Sequence, residues 1–193
     1  MSNPGRVILL AVGGGIAAYK SAMLCSRLAQ DGHDVRTAMT DSATKFLGPP
    51  TLAALSGKPV AINGFNAQKH PLGAHIELSS QLDLMIVAPT TANLLAKFAG
   101  GIADDLISTV YLQRMCPVLL APAMSNAMWE KPAVQRNVEQ LTADGCHFVG
   151  PESGWLSCRE KGPGRMSEPD QICLLYTSPS PRDATLSRMP SSA

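Results

Sequence analysis

The chain has 193 residues, of which 45% are hydrophobic, and its formal net charge is +1. That length can bury the core of a single domain, while a near-zero charge without a long Lys/Arg run argues against nucleic acid or an anionic membrane as partners. The apolar stretch at residues 7–18 is broken by glycines and is shorter than the ~20 residues of a membrane span. We therefore expect a cytoplasmic protein that acts on a small molecule.

Apolar runs alternate with helical patterns along the chain. Five runs predict strands buried in a sheet, at residues 6–12, 35–39, 84–88, 118–121 and 146–149. The segments between them predict helices at residues 17–30, 50–56, 93–99, 104–115 and 132–143. This alternation predicts an α/β fold, a three-layer, doubly wound parallel sheet of the Rossmann-like kind, with ligands bound beyond the carboxyl ends of the strands.

The last part of the chain changes in composition. Residues 152–169 are rich in Gly, Pro and charged residues without a clear period, which predicts a mobile flap that could cover a site. Residues 173–193 are rich in Ser, Pro, Thr and Arg, resemble translated vector sequence and are predicted to be disordered. One domain is therefore expected at residues 1–172.

Polar or glycine-rich segments follow the first three long strands. The first is VGGGIAAYK with Gly14 and Gly15, the second contains Thr40, and the third is APTTAN with Thr91 and Asn93. Glycines let a ligand approach the backbone, and hydroxyl and amide groups can hold a phosphate. Each segment is also explained by a tight turn or a helix N-cap, and each pattern alone leaves both interpretations open.

A fourth strand is followed by PAMSNAMW, which contains two methionines and a tryptophan. Soft apolar side chains there suit a flavin ring or a thiol, although a hydrophobic plug under a loop is equally consistent. His75 alone is more typical of a structural histidine, as are His33, His70 and His147. Cys158 lies in the predicted flap, where a thiol has little packing value, while the other four cysteines form no CxxC pair or zinc pattern. No metal site is expected.

Together these segments resemble the homo-oligomeric flavin-containing cysteine decarboxylases, and most closely their phosphopantothenoylcysteine decarboxylase branch in coenzyme A biosynthesis. The resemblance spans residues 6–169 and rests on GGGIAAYK, HIEL, PTTAN, GIADDLISTV, PAMSNAMW and GPGRM, in the family's order. It implies an FMN cofactor and a trimer, or a multiple of trimers, with each flavin at a subunit interface. The residues that it implies for FMN are Gly14, Gly15, Ile16, Thr40, Phe46, Thr91, Ala92, Asn93 and Ala123.

The resemblance also implies a reaction, the decarboxylation of 4'-phosphopantothenoylcysteine to 4'-phosphopantetheine by a lyase. The flavin oxidises the cysteine thiol to a thioaldehyde, CO2 leaves, and the resulting enethiol is reduced again. By resemblance, His75 is the base or electrostatic partner and Cys158 protonates the enethiol, while Ser125, Asn126 and Met128 contact the substrate.

Two positions depart from the family pattern. Ser125 stands where the family's PxMNxxMW motif has an asparagine that binds the substrate carboxylate, and serine offers one donor instead of two. Either the carboxylate is held less well or the neighbouring Asn126 takes over the role. Gly13 stands where related sequences often have serine, which removes one potential phosphate ligand.

Three alternatives remain open. Ser125 is compatible with a flavin-binding relative that is impaired in decarboxylation and acts in regulation or interaction. A decarboxylase of another cysteine-bearing substrate, such as a peptide C-terminus, is also possible, although HIEL and GPGRM favour the pantothenoyl class. An NAD-dependent dehydrogenase ranks last because it needs an acidic residue at the end of the second strand, where the chain has Met39 and Thr40.

Overall fold

A six-stranded parallel sheet forms the centre of the protein, as a computed structural model shows for residues 5–63 and 73–177. Its strands are β1 (Val7–Val12), β2 (Asp34–Met39), β3 (Val60–Ala61), β4 (Leu84–Thr90), β5 (Val118–Pro122) and β6 (His147–Phe148). Their order is β3-β2-β1-β4-β5-β6. Strands β1 to β3 therefore extend towards one edge of the sheet and β4 to β6 towards the other, and the switch point lies between β1 and β4. Ligands of such sheets bind at this point, beyond the carboxyl ends of the strands.

Helices cover both faces of the sheet. Those on one face are α1 (Ala18–Gln30), α2 (Pro49–Ser56) and α8 (Pro169–Thr177), and those on the other are α3 (Ala74–Ser79), α4 (Ala92–Gly100), α5 (Leu106–Gln113) and α7 (Pro132–Ala143). Side chains of β1 alternate between the two cores, with Ile8 and Leu10 in one and Leu9 and Ala11 in the other. The predicted three-layer α/β fold is confirmed. Within the described ranges no helix is long and apolar enough to cross a membrane.

The prediction that the flap segment lacks regular structure is wrong. Residues 152–169 include an antiparallel hairpin of β7 (Glu152–Trp155) and β8 (Lys161–Arg165). The sequence hides it because β8 reads KGPGR, in which glycine and proline replace the alternating apolar residues of an ordinary strand. The turn closes through bonds between Leu156 and Glu160 and between Arg159 and Leu156, with Arg159 at a φ of +66°.

The predicted tail also begins too early. Helix α8 continues through residues 173–177, which the sequence placed in the disordered segment. The helix packs on α1 because Ile172 is buried in the core and Cys173 packs against it. Residues 178–193 lie outside the described part of the chain.

An acidic cap fixes the corner between α4 and α5. Asp105 accepts a 2.8 Å hydrogen bond from the backbone of Ser108 and a 2.7 Å bond from Lys97 Nζ, which also contacts Asp104 at 2.6 Å. Partial burial raises the pKa of Asp105, but the bonds from Lys97 and Ser108 outweigh it, and the pKa lies below its usual value. The corner is thus held by a charged carboxylate.

Replacement of Asp105 by asparagine should reveal this charge in the pH dependence of stability. Because the folded pKa is lower than the unfolded value near 4, the stabilisation is present above about pH 4 and is lost as pH falls through the folded pKa. We expect Asp105→Asn to lower the free energy of unfolding by about 1 kcal/mol at pH 7 and by less at pH 3. Urea unfolding at both values measures the difference. Asp104→Asn, at a more exposed carboxylate, is the matched control and should cost less. A loss that is equal at both pH values would contradict this assignment.

Candidate active site

Two adjoining clefts open at the carboxyl ends of the central strands. Both are lined by Gly14, Thr91, Ala92 and Met128. The first cleft has a volume of about 600 Å³, and the rest of its lining includes Thr40, Ser42, Lys45, Asn93, Lys97 and Asp105. The second cleft has a volume of about 620 Å³, and its further lining includes Gly15, Ile16, Ala123, Ser125, Cys158 and Arg165. Residues from four separate sequence motifs thus meet at one edge of the sheet.

The glycine loop after β1 is tightly packed on one side and open on the other. The Gly13 N–H donates to the Pro89 carbonyl at 3.1 Å, and a Cβ at Gly13 would lie 2.5 Å from that oxygen. A Cβ at Gly14 would lie 2.3 Å from Ser42 Oγ, whereas one at Gly15 would meet no atom within 4 Å. A serine at position 13, as in the pattern that the sequence resembles, would need a shift of this loop. The backbone at Gly15 is accessible to a ligand.

The polar residues after β2 and β4 combine two roles that the sequence left open. Thr40 Oγ1 accepts a hydrogen bond from the Ala43 backbone at 3.1 Å and lies 3.1 Å from Ser42 Oγ. Thr91 Oγ1 caps α4 by accepting from the Leu94 backbone at 3.3 Å. Both residues also line the first cleft. A turn bond holds Thr40 in place and helix capping holds Thr91, and neither removes the hydroxyl from a ligand's reach.

The second cleft brings Ser125 and Cys158 together. Ser125 precedes the short helix α6 (Asn126–Trp129), and its side chain makes no capping hydrogen bond. Cys158 is exposed at the turn of the β7–β8 hairpin. The hairpin reaches the loop after β5 because the Met124 N–H donates to the Gly164 carbonyl at 3.0 Å. A hydroxyl and a thiol thus line the same cleft from different elements.

Glycines allow the hairpin to pack this closely. Gly164 has a φ of +135°, and a Cβ there would lie 2.2 Å from the carbonyl oxygen of Met124. At Gly162 a Cβ would lie 2.9 Å from Cβ of Asn126. The two glycines of the GPGR sequence are therefore needed for the hairpin to pack at the cleft.

Alanine at position 164 should displace the hairpin without unfolding the sheet. The strained φ and the clash with Met124 lead us to expect a loss of stability of about 1–3 kcal/mol and faster alkylation of Cys158. Gly48→Ala, at a glycine with an ordinary φ where an added Cβ would make only an ordinary 3.7 Å contact with Pro50, is the matched control. Thermal unfolding and the rate of iodoacetamide labelling measure the two effects. Unchanged values for Gly164→Ala would show that this contact does not hold the hairpin.

A buried lysine ties the base of the hairpin to α1. Lys20 is only 5% exposed, and its Nζ donates to the Met166 carbonyl at 2.7 Å and to Glu168 at 2.9 Å. The bond from Lys20, followed by that from Arg165, holds the pKa of Glu168 below its usual value. Lys20 is not among the site residues predicted from the sequence, although its position at the end of GGGIAAYK is a signal. A buried lysine is costly unless it is paired, as it is here.

Comparison with known proteins places this geometry in a family. The family described as "Flavoprotein" matches residues 1–177. The chain belongs to the flavoprotein family.

Curated relatives and solved structures agree with this membership. The chain is 45% identical over 170 residues to the coenzyme A biosynthesis bifunctional protein CoaBC of Bacillus subtilis (strain 168), and 45% identical over 169 residues to that of Escherichia coli (strain K12). Each match covers 88% of this chain and 42% of the relative, so the chain spans less than half of these proteins.

Among solved structures, the FMN-dependent cysteine decarboxylase SpaF has a TM-score of 0.77 at 33% identity, covering 90% of this chain and 98% of that one. A PPC decarboxylase mutant complexed with pantothenoylaminoethenethiol has a TM-score of 0.78 at 28% identity, covering 90% of this chain and 100% of that one.

Three predicted site residues of this flavoprotein do not line either cleft. His75 lies in the first turn of α3, and Phe46 is 51% exposed after a short 3-10 helix (Ala43–Lys45). Asn126 packs against Gly162, and its side-chain oxygen is buried without a hydrogen-bond partner. In this conformation Asn126 is therefore not placed to take the role that the resemblance implies for an asparagine at position 125.

The other described cysteines and histidines of the flavoprotein line neither cleft. Cys25 and Cys146 are buried, and burial raises the pKa of the Cys25 thiol to about 11. His33 Nδ1 accepts a 3.2 Å bond from the Arg6 backbone, and His147 is exposed in β6. His70 lies outside the described residues. Residues 5–63 and 73–177 contain no group of three or more His, Cys, Asp or Glu that could hold a metal ion.

Proposed function

We propose that this flavoprotein domain decarboxylates 4'-phosphopantothenoylcysteine to 4'-phosphopantetheine with FMN as cofactor. The observation that carries the proposal is the pair of adjoining clefts, which share the Gly14 loop and the start of α4 and which place Ser125 beside the hairpin that bears Cys158. Relatives named for coenzyme A biosynthesis and for PPC decarboxylase support the substrate. All five cysteines are free, which supports a reducing, cytoplasmic location.

The residues at the two clefts fit FMN. The backbone at Gly15 has open space for a close approach, and Thr40, Thr91 and Asn93 offer hydroxyl and amide groups to a ribityl phosphate. Ile16, Ala92 and Ala123 present apolar surface in the second cleft, which suits a flavin ring. SpaF and the FMN-binding protein AtHal3, at 28% identity and a TM-score of 0.75, have the same fold. Phe46 would join this set only by moving or by contacting another subunit.

The chemistry needs an electron sink, because the carboxylate of a cysteine conjugate has none. Bound FMN would supply a reversible two-electron oxidation of the substrate, so that no net oxidation remains. Ser125 Oγ–H donates a hydrogen bond to the carboxylate before CO2 leaves. Cys158 Sγ–H then gives a proton to the enethiol, and the hairpin keeps water from the intermediate. The PPC decarboxylase mutant complex contains such an enethiol, pantothenoylaminoethenethiol.

His75 requires a second subunit in this proposal. Its imidazole would take the proton from the substrate thiol, yet α3 places it outside both clefts of its own chain. A homo-oligomer, a trimer or a multiple of trimers, would bring His75 of one chain to the clefts of the next. The site of a single chain would then be incomplete.

Asparagine at position 125 should increase activity. Ser125 donates one hydrogen bond through a short side chain, whereas an amide offers two donors and reaches further. We expect Ser125→Asn to raise kcat/KM about tenfold, chiefly through KM, because one added hydrogen bond to a charged group is worth that much. Ser125→Ala is the control and should lower kcat/KM. Equal activity of all three variants would show that position 125 does not contact the carboxylate.

The proposed function is tested by FMN titration together with CO2 release from a set of substrates. We expect FMN to bind and 4'-phosphopantothenoylcysteine to be decarboxylated in preference to a peptide that ends in cysteine. Preference for the peptide would favour the alternative of a decarboxylase that acts on peptides ending in cysteine. Protein that binds FMN but releases no CO2 from either substrate would favour the regulatory alternative, for which Ser125 is the supporting feature.

A further inference from the structure

Three large apolar side chains around the second cleft are more than half exposed. Ile16, Tyr19 and Trp155 are 60%, 56% and 62% exposed, and all three line this cleft. Trp155 comes from the hairpin, whereas Ile16 and Tyr19 come from the start of α1 and the loop before it. Exposed aromatic surface of this size normally becomes covered when a ligand or a partner binds.

The wall that carries Trp155 is held firmly in place. Trp155 pairs with Lys161 across the hairpin, and the hairpin is anchored by the Met124–Gly164 backbone bond and by the Lys20 bond to the Met166 carbonyl. The side chains along β7 alternate, with Glu152 and Gly154 half-buried and Ser153 and Trp155 exposed. The indole therefore stays at the cleft without a packing role in the core.

The cleft is chemically divided. Its reacting part contains Ser125 and Cys158, which suit a carboxylate and a thiol, while Tyr19 and Trp155 offer aromatic surface beyond the set proposed for the flavin ring. Its two cations, Lys20 and Arg165, are both paired with Glu168. A ligand that fits both parts has a polar thiol-bearing end and an apolar body.

We propose that Trp155, together with Tyr19, determines specificity by binding the branched aliphatic pantoyl part of the substrate. This inference rests on the proposed function, because it takes the pantothenoyl conjugate as the occupant. Contact with an aromatic face suits a dimethyl-substituted carbon, which buries apolar area without needing a hydrogen bond. A short peptide that ends in cysteine lacks this group, so Trp155 would favour the pantothenoyl conjugate over the peptide.

Kinetics of Trp155 variants give the first test. We expect Trp155→Ala to raise KM for 4'-phosphopantothenoylcysteine about tenfold with little change in kcat, and Trp155→Phe to restore most of the affinity. The activity on a cysteine-terminated peptide should change less. Met115→Ala, at a fully exposed residue before β5 and far from the carboxyl ends of the strands, is the matched control. Equal losses on both substrates, or a loss in kcat alone, would overturn the proposal.

Fluorescence gives a second test that does not depend on turnover. The chain has two tryptophans, so Trp129→Phe leaves Trp155 as the only one. The probe is 4'-phosphopantothenate, which carries the pantoyl part without the cysteine, added to the FMN-loaded oligomer. We expect a saturable blue shift of Trp155 emission, and a weaker response to the probe without its dimethyl group.

The outcomes separate this inference from the proposed function. Decarboxylation with an emission that does not respond to the probe would overturn the role of Trp155 and leave the function standing. Emission that is already blue-shifted without ligand and shifts to the red on dilution would show that a second copy covers Trp155, which also overturns the role. Saturable binding without CO2 release would support the inference and contradict the function.

Discussion

Co-expressed His75→Asn and Cys158→Ser chains are expected to form an active decarboxylase, although each variant alone should be inactive. Cys158 lines the second cleft of its own chain, whereas His75 on α3 lines neither cleft of that chain. If neighbouring subunits supply the two residues, about a quarter of the sites in a random mixture combine a wild-type histidine with a wild-type cysteine. CO2 release from doubly tagged mixed oligomers measures this recovery.

The same experiment contains its own control. Each single variant should lose activity by about 100-fold or more, because a general acid or base contributes that much to the rate. Both should still bind FMN, since neither residue belongs to the set proposed to hold it. Chains that carry both substitutions, co-expressed with the His75→Asn chain, should give no recovery. Mixed oligomers as inactive as the single variants would contradict a site shared between subunits.

Serine at position 158 alone should separate CO2 loss from completion of the reaction. A hydroxyl is a much weaker acid than a thiol, so the enethiol is not protonated at a useful rate. We expect roughly one CO2 per site and then a stop, with the unsaturated thiol remaining in the protein. Stoichiometry of CO2 and mass spectrometry of the released ligand measure this outcome.

Another cysteine provides the control for that prediction. Cys116 is half-buried before β5, away from the carboxyl ends of the strands, so Cys116→Ser should turn over like the wild type. Continued turnover by Cys158→Ser would mean that another group supplies the proton. Complete loss of the first CO2 would mean that Cys158 acts before decarboxylation.

The sequence predicted the layers of this fold because long buried strands and amphipathic helices have strong periodic patterns. The β1 run and α1 match their predicted positions closely. The β7–β8 hairpin was missed because its geometry depends on close contacts of Gly162 and Gly164 with the neighbouring loop, which leave no apolar periodicity. Helix α8 likewise depends on tertiary packing, since Ile172 is buried in the core.

The site was predictable in part for a related reason. Residues after parallel strands converge by topology, and Gly14, Thr40, Thr91 and Ser125 do line the clefts. Lys20 was missed because its role is to bond Met166 and Glu168, which lie more than 140 positions away in the sequence. His75 is the opposite case, because it was predicted as a site residue but the fold of one chain does not bring it to the clefts.

The most direct test of the central claim is a mass balance with catalytic amounts of FMN-loaded protein and excess 4'-phosphopantothenoylcysteine under anaerobic conditions. Many turnovers per flavin are expected, with equal amounts of CO2 and 4'-phosphopantetheine and no external oxidant consumed. Protein that binds FMN yet releases no CO2, or that needs an added oxidant for each turnover, would contradict this claim.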